Sequence, residues 1–333
     1  MSKSNIKSVY IKLGASCNLH CKYCHAESKV IHFNPEILPV LKNMNLRQVH
    51  FGGGEPLLYW DTIRKITEYL GKNIQYKIVT NGTLFTQEIV DFCNQYHFFF
   101  HISLDGIHTT RDTSKPICWD LIKQLRFCGT AVTFYKENSN ILETLNSLND
   151  IKRNYLTVGP AIWSSFPNFV HSTSKTGILS DRALADSYIA QLTIMVRRAI
   201  WIYKERNGHT TIFLKRAFHE FVQKKSMNGV FCCNDESIAI LADGTICVCP
   251  YTYEKAGDIF HLDKINWNTI KDLYTKETCS TCELYHVCGN RCCMDVTDNQ
   301  CYIMRNMYKN FVEIMKKNGI TYEEFERVLS MRN

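Results

Sequence analysis

The chain has 333 residues, of which 45% are hydrophobic and 21% charged, and its formal net charge is +7 at pH 7. This length suits about two domains with a sizeable core. The sequence lacks a run of about 18 apolar residues and the apolar segment of a signal peptide, which argues against a membrane-spanning helix and against export. The positive charge is not concentrated in a long basic run, so a nucleic-acid partner is not favoured.

Sixteen cysteines are many for a chain of this length. In a secreted protein they would indicate disulfides, but without an export signal they favour metal binding or redox chemistry. We therefore expect a cytoplasmic protein from a reducing, anaerobic setting.

Strands and helices alternate along the first half of the chain. The strands are predicted at 7–14, 48–51, 76–79, 98–104, 130–135 and 155–163, and the helices at 35–44, 60–71, 86–95, 118–127 and 139–150. Largely apolar strands are typical of a parallel sheet buried on both faces, and right-handed crossovers curl such units into a partial (β/α)6 barrel. Barrels of this kind carry their active sites at the carboxyl ends of the strands.

The second half has a different pattern. A loop is predicted at 164–180, helices at 181–206, 213–224, 302–316 and 321–331, and a hairpin with an Asp-Gly turn joins 238–241 to 245–248. We divide the chain into a barrel over 1–165, a helical bridging region over 166–228, a cysteine-rich α+β domain over 229–318 and a C-terminal helix over 319–333.

Cys17, Cys21 and Cys24 follow the first strand with the spacing C-x3-C-x2-C. Thiolates are soft ligands, and three of them on one tight loop can bind three irons of a [4Fe–4S] cube. The fourth iron then lacks a protein ligand, and an open position is what metal catalysis needs. Half of a zinc site is the alternative, although zinc ribbons favour C-x2-C pairs and four ligands.

With the aromatic Tyr23 just before the third cysteine, this spacing resembles the signature of the radical S-adenosylmethionine (SAM) superfamily. The resemblance implies an α/β fold of the radical SAM type and a catalytic cluster on the three cysteines that binds SAM through its open iron. It also implies one-electron cleavage of SAM to a 5′-deoxyadenosyl radical, which abstracts hydrogen from the substrate. A flavodoxin- or ferredoxin-type electron donor is then expected.

The second predicted strand ends in Gly52, Gly53, Gly54 and Glu55, followed by a proline. Glycines let the backbone approach a ligand closely, although an ordinary glycine turn is the alternative. At this distance after the cysteines, the segment resembles the family's GGEP motif, which holds the amino group of SAM.

Polar residues also end the third and fourth predicted strands. Asn81, Ser103 and Asp105 resemble family segments that lie near the SAM ribose and the substrate, and their short side chains can hydrogen-bond hydroxyl groups. Turn chemistry is the alternative, since Asn-Gly and Asp-Gly are strong turn formers.

The last hundred residues contain a second set of regularly spaced cysteines: Cys233, Cys249, Cys279, Cys282, Cys288, Cys292 and Cys301. The spacing resembles that of the SPASM domain, a C-terminal extension of radical SAM enzymes. By that resemblance, Cys279, Cys282, Cys288 and Cys301 bind one auxiliary [4Fe–4S] cluster, and Cys233, Cys249 and Cys292 bind a second. We expect an open or exchangeable iron in the second cluster, with Cys247 as the alternative ligand. A pair of zinc knuckles would not explain the N-terminal cysteines.

SPASM relatives mostly modify peptides and proteins. The resemblance therefore implies a maturase that acts on a ribosomally made precursor peptide and forms a thioether or carbon–carbon crosslink, or epimerises a residue. An anaerobic sulfatase-maturase-like, formylglycine-generating enzyme is the first alternative, but Pro250 and Tyr251 stand where that group carries an Asp. A non-catalytic iron–sulfur electron carrier or a nucleic-acid-binding protein is a different class, with no use for a SAM site.

Only sixteen residues precede Cys17. We therefore expect no fused leader-binding domain before the barrel. A separate leader-binding protein, or direct capture of the peptide by residues 164–225, would be needed instead.

Overall fold

The computed structural model describes residues 6–21, 24, 30–105, 111–134, 140, 143–144, 147, 165–169, 181–205, 236–247, 255–265, 281–282, 284 and 298–321. The chain divides into two compact units. The first contains Met1–Thr133, Asn146–Asn168 and Phe231–Leu273, and the second contains Phe134–Leu145, Phe169–Val230 and Tyr274–Asn333.

The described elements are, in chain order, β1 (Ser8–Lys12), α1 (Ile37–Lys42), β2 (Gln48–Gly52), a 3-10 turn (Pro56–Tyr59), α2 (Trp60–Leu70), β3 (Gln75–Thr80), α3 (Gln87–Gln95), β4 (Phe99–Ser103), α4 (Trp119–Ile122), β5 (Cys128–Phe134), β6 (Ser165–Phe169), α5 (Arg182–Glu205), β7 (Ser237–Leu241), β8 (Thr245–Cys247), β9 (Lys255–Asp258), a second 3-10 segment (Ile259–Lys264) and α6 (Asp298–Lys317). Among the described residues, none of these helices is both long and apolar enough to cross a membrane.

The strands form one nine-stranded sheet in the order β6-β5-β4-β3-β2-β1-β7-β8-β9. Neighbouring strands from β1 to β5 pair in parallel. Each of these strands except the last is followed by a described helix before the next begins, which confirms the predicted α/β fold with a mainly parallel sheet. The predicted strand over 155–163 and most of the predicted helix over 139–150 lie outside the described residues.

The hairpin of β7 and β8 has the antiparallel pairing that its Asp-Gly turn predicts. β7 also pairs in parallel with β1, so that Ser8–Lys12 lie in register with Ser237–Leu241. The hairpin was predicted within the cysteine-rich domain, and this pairing places it on the sheet of the first unit. The boundary drawn at residue 229 stays a prediction.

Two predictions of local structure were wrong. The stretch 164–180 was predicted as a loop because it is rich in Ser, Thr and Gly, yet Ser165–Phe169 form β6. β6 is the last strand in the sheet order, and an edge strand tolerates Pro167 because one side of it needs no ladder hydrogen bonds. The helix predicted over 118–127 is only α4, Trp119–Ile122, because β5 already begins at Cys128.

The first four strands bury one face completely. Val9, Phe51, Tyr76 and Phe100 lie on this face and have no exposed surface. Tyr76 donates a hydrogen bond to the Thr67 carbonyl of α2 at 3.4 Å, so α2 covers this face.

Successive side chains of a strand point to opposite faces, and we call the face opposite to the buried one the inner face. It carries Tyr10, His50, Lys77 and His101, all of which are only half-buried. The strands are therefore not apolar on both faces as the sequence predicted.

In the second unit, α5 and α6 pack against each other. The Asn310 side chain donates to the Thr193 hydroxyl at 3.0 Å, and the Arg182 guanidinium lies 3.8 Å from the centre of the Tyr302 ring. α5 matches its predicted range to within a residue, whereas α6 begins four residues earlier than predicted. The predicted helix over 213–224 lies outside the described residues, as does that over 321–331 apart from Thr321.

Candidate active site

The cysteine loop leaves the carboxyl end of β1 and is held by backbone hydrogen bonds. Leu13 N–H donates to the Gly52 carbonyl at 2.9 Å, which keeps the start of the loop beside the end of β2. Cys17 and Cys21 are half-buried, and Cys24 is exposed. Tyr23 lies outside the described residues.

Backbone N–H groups point at two of the three sulfurs. Leu19 donates to Cys17 Sγ at 3.5 Å, and Asp112 donates to Cys21 Sγ at 3.4 Å. Such bonds stabilise cluster thiolates and help to set cluster potentials.

Burial raises the pKa of the Cys17 thiol and that of the Cys21 thiol, and the negative charges of neighbouring thiolates raise both further. The three cysteines therefore lie near enough to influence one another. However, among the described residues no three His, Cys, Asp or Glu side chains lie close enough to hold a single metal ion. A [4Fe–4S] cube fits this arrangement, because each thiolate binds its own iron and the irons supply the missing positive charge.

The glycines after β2 lie directly against the cysteine loop. Gly54 N–H donates to the Gly14 carbonyl at 3.0 Å, and Glu55 N–H donates to the Ser16 carbonyl at 2.9 Å. A Cβ atom on Gly53 would lie 2.4 Å from the Gly14 oxygen, and the φ of Gly53 is +149°. The packing of these two loops therefore requires glycines here, whether or not SAM also approaches them.

Glu55 is 1% exposed, and its carboxylate accepts three hydrogen bonds. Oε1 accepts from Thr80 Oγ1 at 2.7 Å and from Leu57 N at 3.1 Å, and Oε2 accepts from Asn81 N at 2.8 Å. Burial raises the pKa of this carboxyl group, while the three donors act in the opposite direction. The side chain thus links the end of β2 to the end of β3.

Asn81 belongs to a closed ring of hydrogen bonds with Asn18 and Thr83. Asn81 Nδ2 donates to Asn18 Oδ1 at 2.8 Å, Asn18 Nδ2 donates to Thr83 Oγ1 at 2.9 Å, and Thr83 Oγ1 donates to Asn81 Oδ1 at 2.7 Å. Asn81 Nδ2 also lies 4.0 Å from Cys17 Sγ. The residue after β3 therefore fixes the orientation of the cysteine loop.

The segment after β4 contacts the same loop from another side. Asp112 accepts from His20 N at 2.8 Å and from Ser114 N at 2.8 Å, and Arg111 donates to the Asn81 carbonyl at 2.6 Å. Hydrogen bonds from Ser114 and from His20 hold the pKa of Asp112 at about 2, so it is ionised at neutral pH. The positive charge of Arg111 lowers the pKa of the Cys21 thiol, against the effect of burial.

The remaining predicted residues are less connected. Asp105 is buried, and its negative charge raises the pKa of Cys21, which places it near the cysteine loop. Ser103 ends β4 and is half-buried. The structure therefore gathers Cys17, Cys21, Gly53, Glu55 and Asn81 through direct bonds or close approach, and Asp105 through its charge.

Three residues of the site were not predicted from the sequence: Asn18, Arg111 and Asp112. Asn18 carries no motif signal of its own. Arg111 and Asp112 follow the carboxyl end of β4. Barrels of this kind carry their active sites at the carboxyl ends of the strands, so this position was the available signal.

Of the second cysteine set, only Cys282 and Cys301 lie within the described residues, and both are half-buried. Cys233, Cys249, Cys279, Cys288 and Cys292 lie outside them. Cys247 is buried in β8, and the pairing of β8 with β9 is irregular between Ile246 and Cys247.

Comparison with known proteins agrees with this geometry. Residues 11–125 match the family model of the radical SAM superfamily. The structure of anSMEcpe with bound AdoMet has a TM-score of 0.68 and 16% identity, and the match covers 94% of this chain and 99% of that chain. The structure of Streptococcus suis SuiB bound to precursor peptide SuiA has a TM-score of 0.54 and 16% identity, over 86% of this chain and 72% of that chain. At these identities the likeness concerns the fold.

Among sequence relatives, the radical SAM cyclopropyl synthase TigE of Paramaledivibacter caminithermalis is 26% identical over 169 residues, which are 41% of this chain and 34% of TigE. The chain spans between a third and a half of the length of the curated relatives it matches first. The similarity to these relatives therefore concerns the matched domain and does not by itself assign their reactions to this chain.

Proposed function

The chain carries a radical SAM domain over residues 11–125, and from this premise we propose that it is a maturase that modifies a ribosomally made precursor peptide. The modification would be a thioether or carbon–carbon crosslink, or an epimerisation. The observation that carries the proposal is the convergence of the ends of β2 and β3 and of the segment after β4 on the cysteine loop, through Glu55, Asn81 and Asp112.

The peptide substrate is supported by two fold neighbours that were solved with peptides bound. One is SuiB with precursor peptide SuiA, and the other is anSMEcpe with the Cp18Cys peptide. Both resemble this chain well beyond the radical SAM domain, over 86% and 94% of its length. Their identities are 16% and 14%, so the substrate class is an inference from shared architecture.

We assign Cys17, Cys21 and Cys24 to the [4Fe–4S] cluster and the loop of Gly53 and Glu55 to SAM. When bound, the cluster and SAM supply one-electron cleavage of SAM and the abstraction of a hydrogen atom from the substrate. The protein's own residues hold the loop that carries the cysteines and donate N–H groups to two sulfurs.

The second cysteine set remains part of the proposal. Cys279, Cys282, Cys288 and Cys301 would bind one auxiliary [4Fe–4S] cluster, and Cys233, Cys249 and Cys292 would bind the other. A flavodoxin- or ferredoxin-type donor would supply electrons, and a separate protein could present the leader of the precursor peptide.

Two experiments test the proposal. The first is anaerobic reconstitution with iron and sulfide, followed by assay of 5′-deoxyadenosine formation from SAM with a chemical reductant. We expect formation by the native chain and none by a variant with Cys17, Cys21 and Cys24 changed to Ala. Equal formation by that variant would refute the cluster assignment.

The second experiment addresses the peptide. The chain is co-expressed with small peptides encoded beside it, and the peptides are examined by mass spectrometry. A mass loss of two hydrogens indicates a crosslink, and deuterium incorporation at one α-carbon in D2O indicates epimerisation. If SAM is cleaved but none of these peptides changes, the enzyme class stands and the peptide substrate does not.

A further inference from the structure

Besides the buried Lys12 of β1, three basic side chains lie together on the inner face of the sheet, outside the network that holds the cysteine loop. His50 of β2 and Lys77 of β3 are directly paired in the parallel register. His101 of β4 is paired with Val79, one alternation further along β3 from Lys77. Because side chains alternate along a strand, all three project from the same face and from adjacent strands.

Two members of this cluster, His50 and Lys77, are poorly satisfied within the described part of the protein. His50 Nε2 is buried without a hydrogen-bond partner. Lys77 is half-buried, and within the described part of the chain it forms neither a hydrogen bond nor an ion pair. A buried donor without an acceptor, and a cation withdrawn from water without a counter-charge, both destabilise the folded state unless a ligand completes them.

Within the described strands, the sequence places no acidic side chain on this face to offset the charge. By the strand register, the inner-face positions of β1 to β5 and β7 within the described residues contain neither Asp nor Glu. The face does contain Tyr10, whose ring centre lies 4.9 Å from that of His50.

The cluster lies just below the carboxyl ends of the strands. His50 precedes Gly52 by two residues, and His101 precedes Ser103 by two residues, so each is about 7 Å along its strand from the candidate active site. A substrate group that extends below the strand ends on the inner face would therefore reach these side chains.

We propose that His50, Lys77 and His101 form an oxyanion-binding pocket that receives a carboxylate or phosphate group of the substrate. This deepens the proposed function, on which it rests, and for a peptide substrate it selects an acidic side chain or the terminal carboxylate. Lys77 supplies the positive charge, and the two imidazoles supply N–H donors, which is the donor set that oxyanions prefer.

The protonation of the three groups is consistent with an anion as the missing partner. Burial is the main cause that lowers the pKa of His50 to about 3 and that of His101 to about 4, and the positive charge of Lys77 contributes to both values. Burial also lowers the pKa of Lys77. A bound oxyanion would replace the solvation that each of these groups has lost.

The test uses the reconstituted holoenzyme with SAM and three small probes: N-acetylglutamate and N-acetylglutamine, both as their α-carboxamides so that only the former carries a carboxylate, and inorganic phosphate. Binding of the two amino-acid probes is measured by saturation-transfer difference NMR, and phosphate is tested both as a competitor and, by phosphorus NMR, as a ligand in its own right. We expect N-acetylglutamate to bind about tenfold more tightly than N-acetylglutamine, because only the former presents a charge-assisted acceptor.

Variants then locate the site. Lys77→Met should abolish the preference for the charged probe, Lys77→Arg should retain most of it, and His50→Gln should reduce it. Lys65→Met is the matched control, since Lys65 is an exposed lysine of α2, and it should leave the preference unchanged. Iron content and circular dichroism establish that each variant is folded. If Lys77→Met does not fold, His50→Gln still tests the pocket.

The outcomes separate the pocket from the proposed function. Competition by phosphate supports an oxyanion pocket of broad chemistry, and binding of N-acetylglutamate without such competition supports a carboxylate. If phosphate binds and N-acetylglutamate does not, the pocket stands and the peptide substrate is contradicted. Equal binding of the two amino-acid probes, or a preference that survives Lys77→Met, overturns the pocket even if the enzyme modifies a peptide.

Discussion

The carboxylate of Glu55 accepts the backbone N–H of Asn81 at 2.8 Å, and this bond joins the carboxyl ends of two adjacent strands. The side chain of Asn81 in turn donates to Asn18, which follows the first cysteine of the loop. The candidate SAM loop, the end of β3 and the cysteine loop therefore form one connected network. The protein holds this network through its own bonds, so the site is ordered before any ligand contributes.

Replacing Glu55 tests that network. Glu55→Gln puts an amide nitrogen where one carboxylate oxygen now accepts a hydrogen bond, so a buried donor loses its partner. We expect a loss of about 2 kcal/mol in the free energy of unfolding, together with weaker SAM binding. Urea denaturation and equilibrium dialysis of SAM measure the two effects.

Glu68→Gln is the control for this prediction, because Glu68 is an exposed residue of α2. It should change neither the free energy of unfolding nor SAM affinity. If the two variants behave alike, the bonds of Glu55 do not support the site.

A substitution at Gly53 tests whether the glycines are needed only for SAM binding. From the sequence, a side chain at Gly53 would be expected to block SAM and leave the iron in place. In the structure a Cβ there would lie 2.4 Å from the Gly14 oxygen, so Gly53→Ala must displace the cysteine loop. We now expect iron content and SAM affinity to fall together.

Gly71→Ala is the matched control, since Gly71 also has a positive φ, of +93°, but an added Cβ would meet nothing within 4 Å. It should be mildly destabilising and should retain iron. Normal iron content in Gly53→Ala, with only SAM binding lost, would restore the simpler explanation.

The first strands could be predicted because each is a short run rich in apolar residues between turn or helix signals. The sequence predicted burial on both faces, whereas the structure completely buries only the face of Val9, Phe51, Tyr76 and Phe100. β6 was missed because amino-acid composition indicates how polar a segment is but not which strand it pairs with. An edge strand pairs on one side only, so it tolerates polar residues and a proline.

The supporting residues of the site could not be predicted in the same way. Asn18 and Asn81 are separated by 63 residues, and His20 and Asp112 by 92. Their roles arise from the approach of three loops, which no local pattern specifies. The ligands of the second cysteine set stay a prediction from spacing.

Asp112 should influence the cluster through the loop that it holds. Asp112→Ala removes the acceptor for His20 N and for Ser114 N, and thereby releases the N–H that donates to Cys21 Sγ. Loss of a hydrogen bond to a cluster sulfur makes the reduced cluster less stable, so we expect a lower reduction potential with normal iron content. A redox titration followed by electron paramagnetic resonance measures it.

Asp112→Asn, which keeps an acceptor oxygen, should show a smaller shift than Asp112→Ala. Asp120→Ala, at an exposed aspartate of α4, should show none. An unchanged potential in Asp112→Ala would mean that the Asp112 N–H does not depend on its side chain for its position.

The auxiliary clusters are tested by counting iron. If Cys282 is a ligand of a four-cysteine cluster, Cys282→Ala should lose about four irons per chain and retain the catalytic cluster. Cys93→Ala is the control, because Cys93 is buried in α3 among apolar residues and should bind no iron. Equal iron in the two variants would contradict the auxiliary assignment without affecting the radical SAM domain.

His50 makes the stability of the fold depend on pH. The pKa of His50 is about 3 in the folded protein, and an unfolded histidine titrates near 6.5. Below about pH 6.5 the unfolded chain therefore binds a proton that the folded chain excludes, so this contribution to stability is complete above that pH and is lost as the pH falls. The loss from this residue approaches about 1.4 kcal/mol per pH unit. We expect His50→Gln to reduce the pH dependence of the unfolding free energy by about half a proton on average between pH 7.5 and 5.5, which amounts to about 1.4 kcal/mol over that interval. Urea denaturation at several pH values, with iron content monitored, measures the slope, and an unchanged slope in His50→Gln would show that the fold does not lower the pKa of His50.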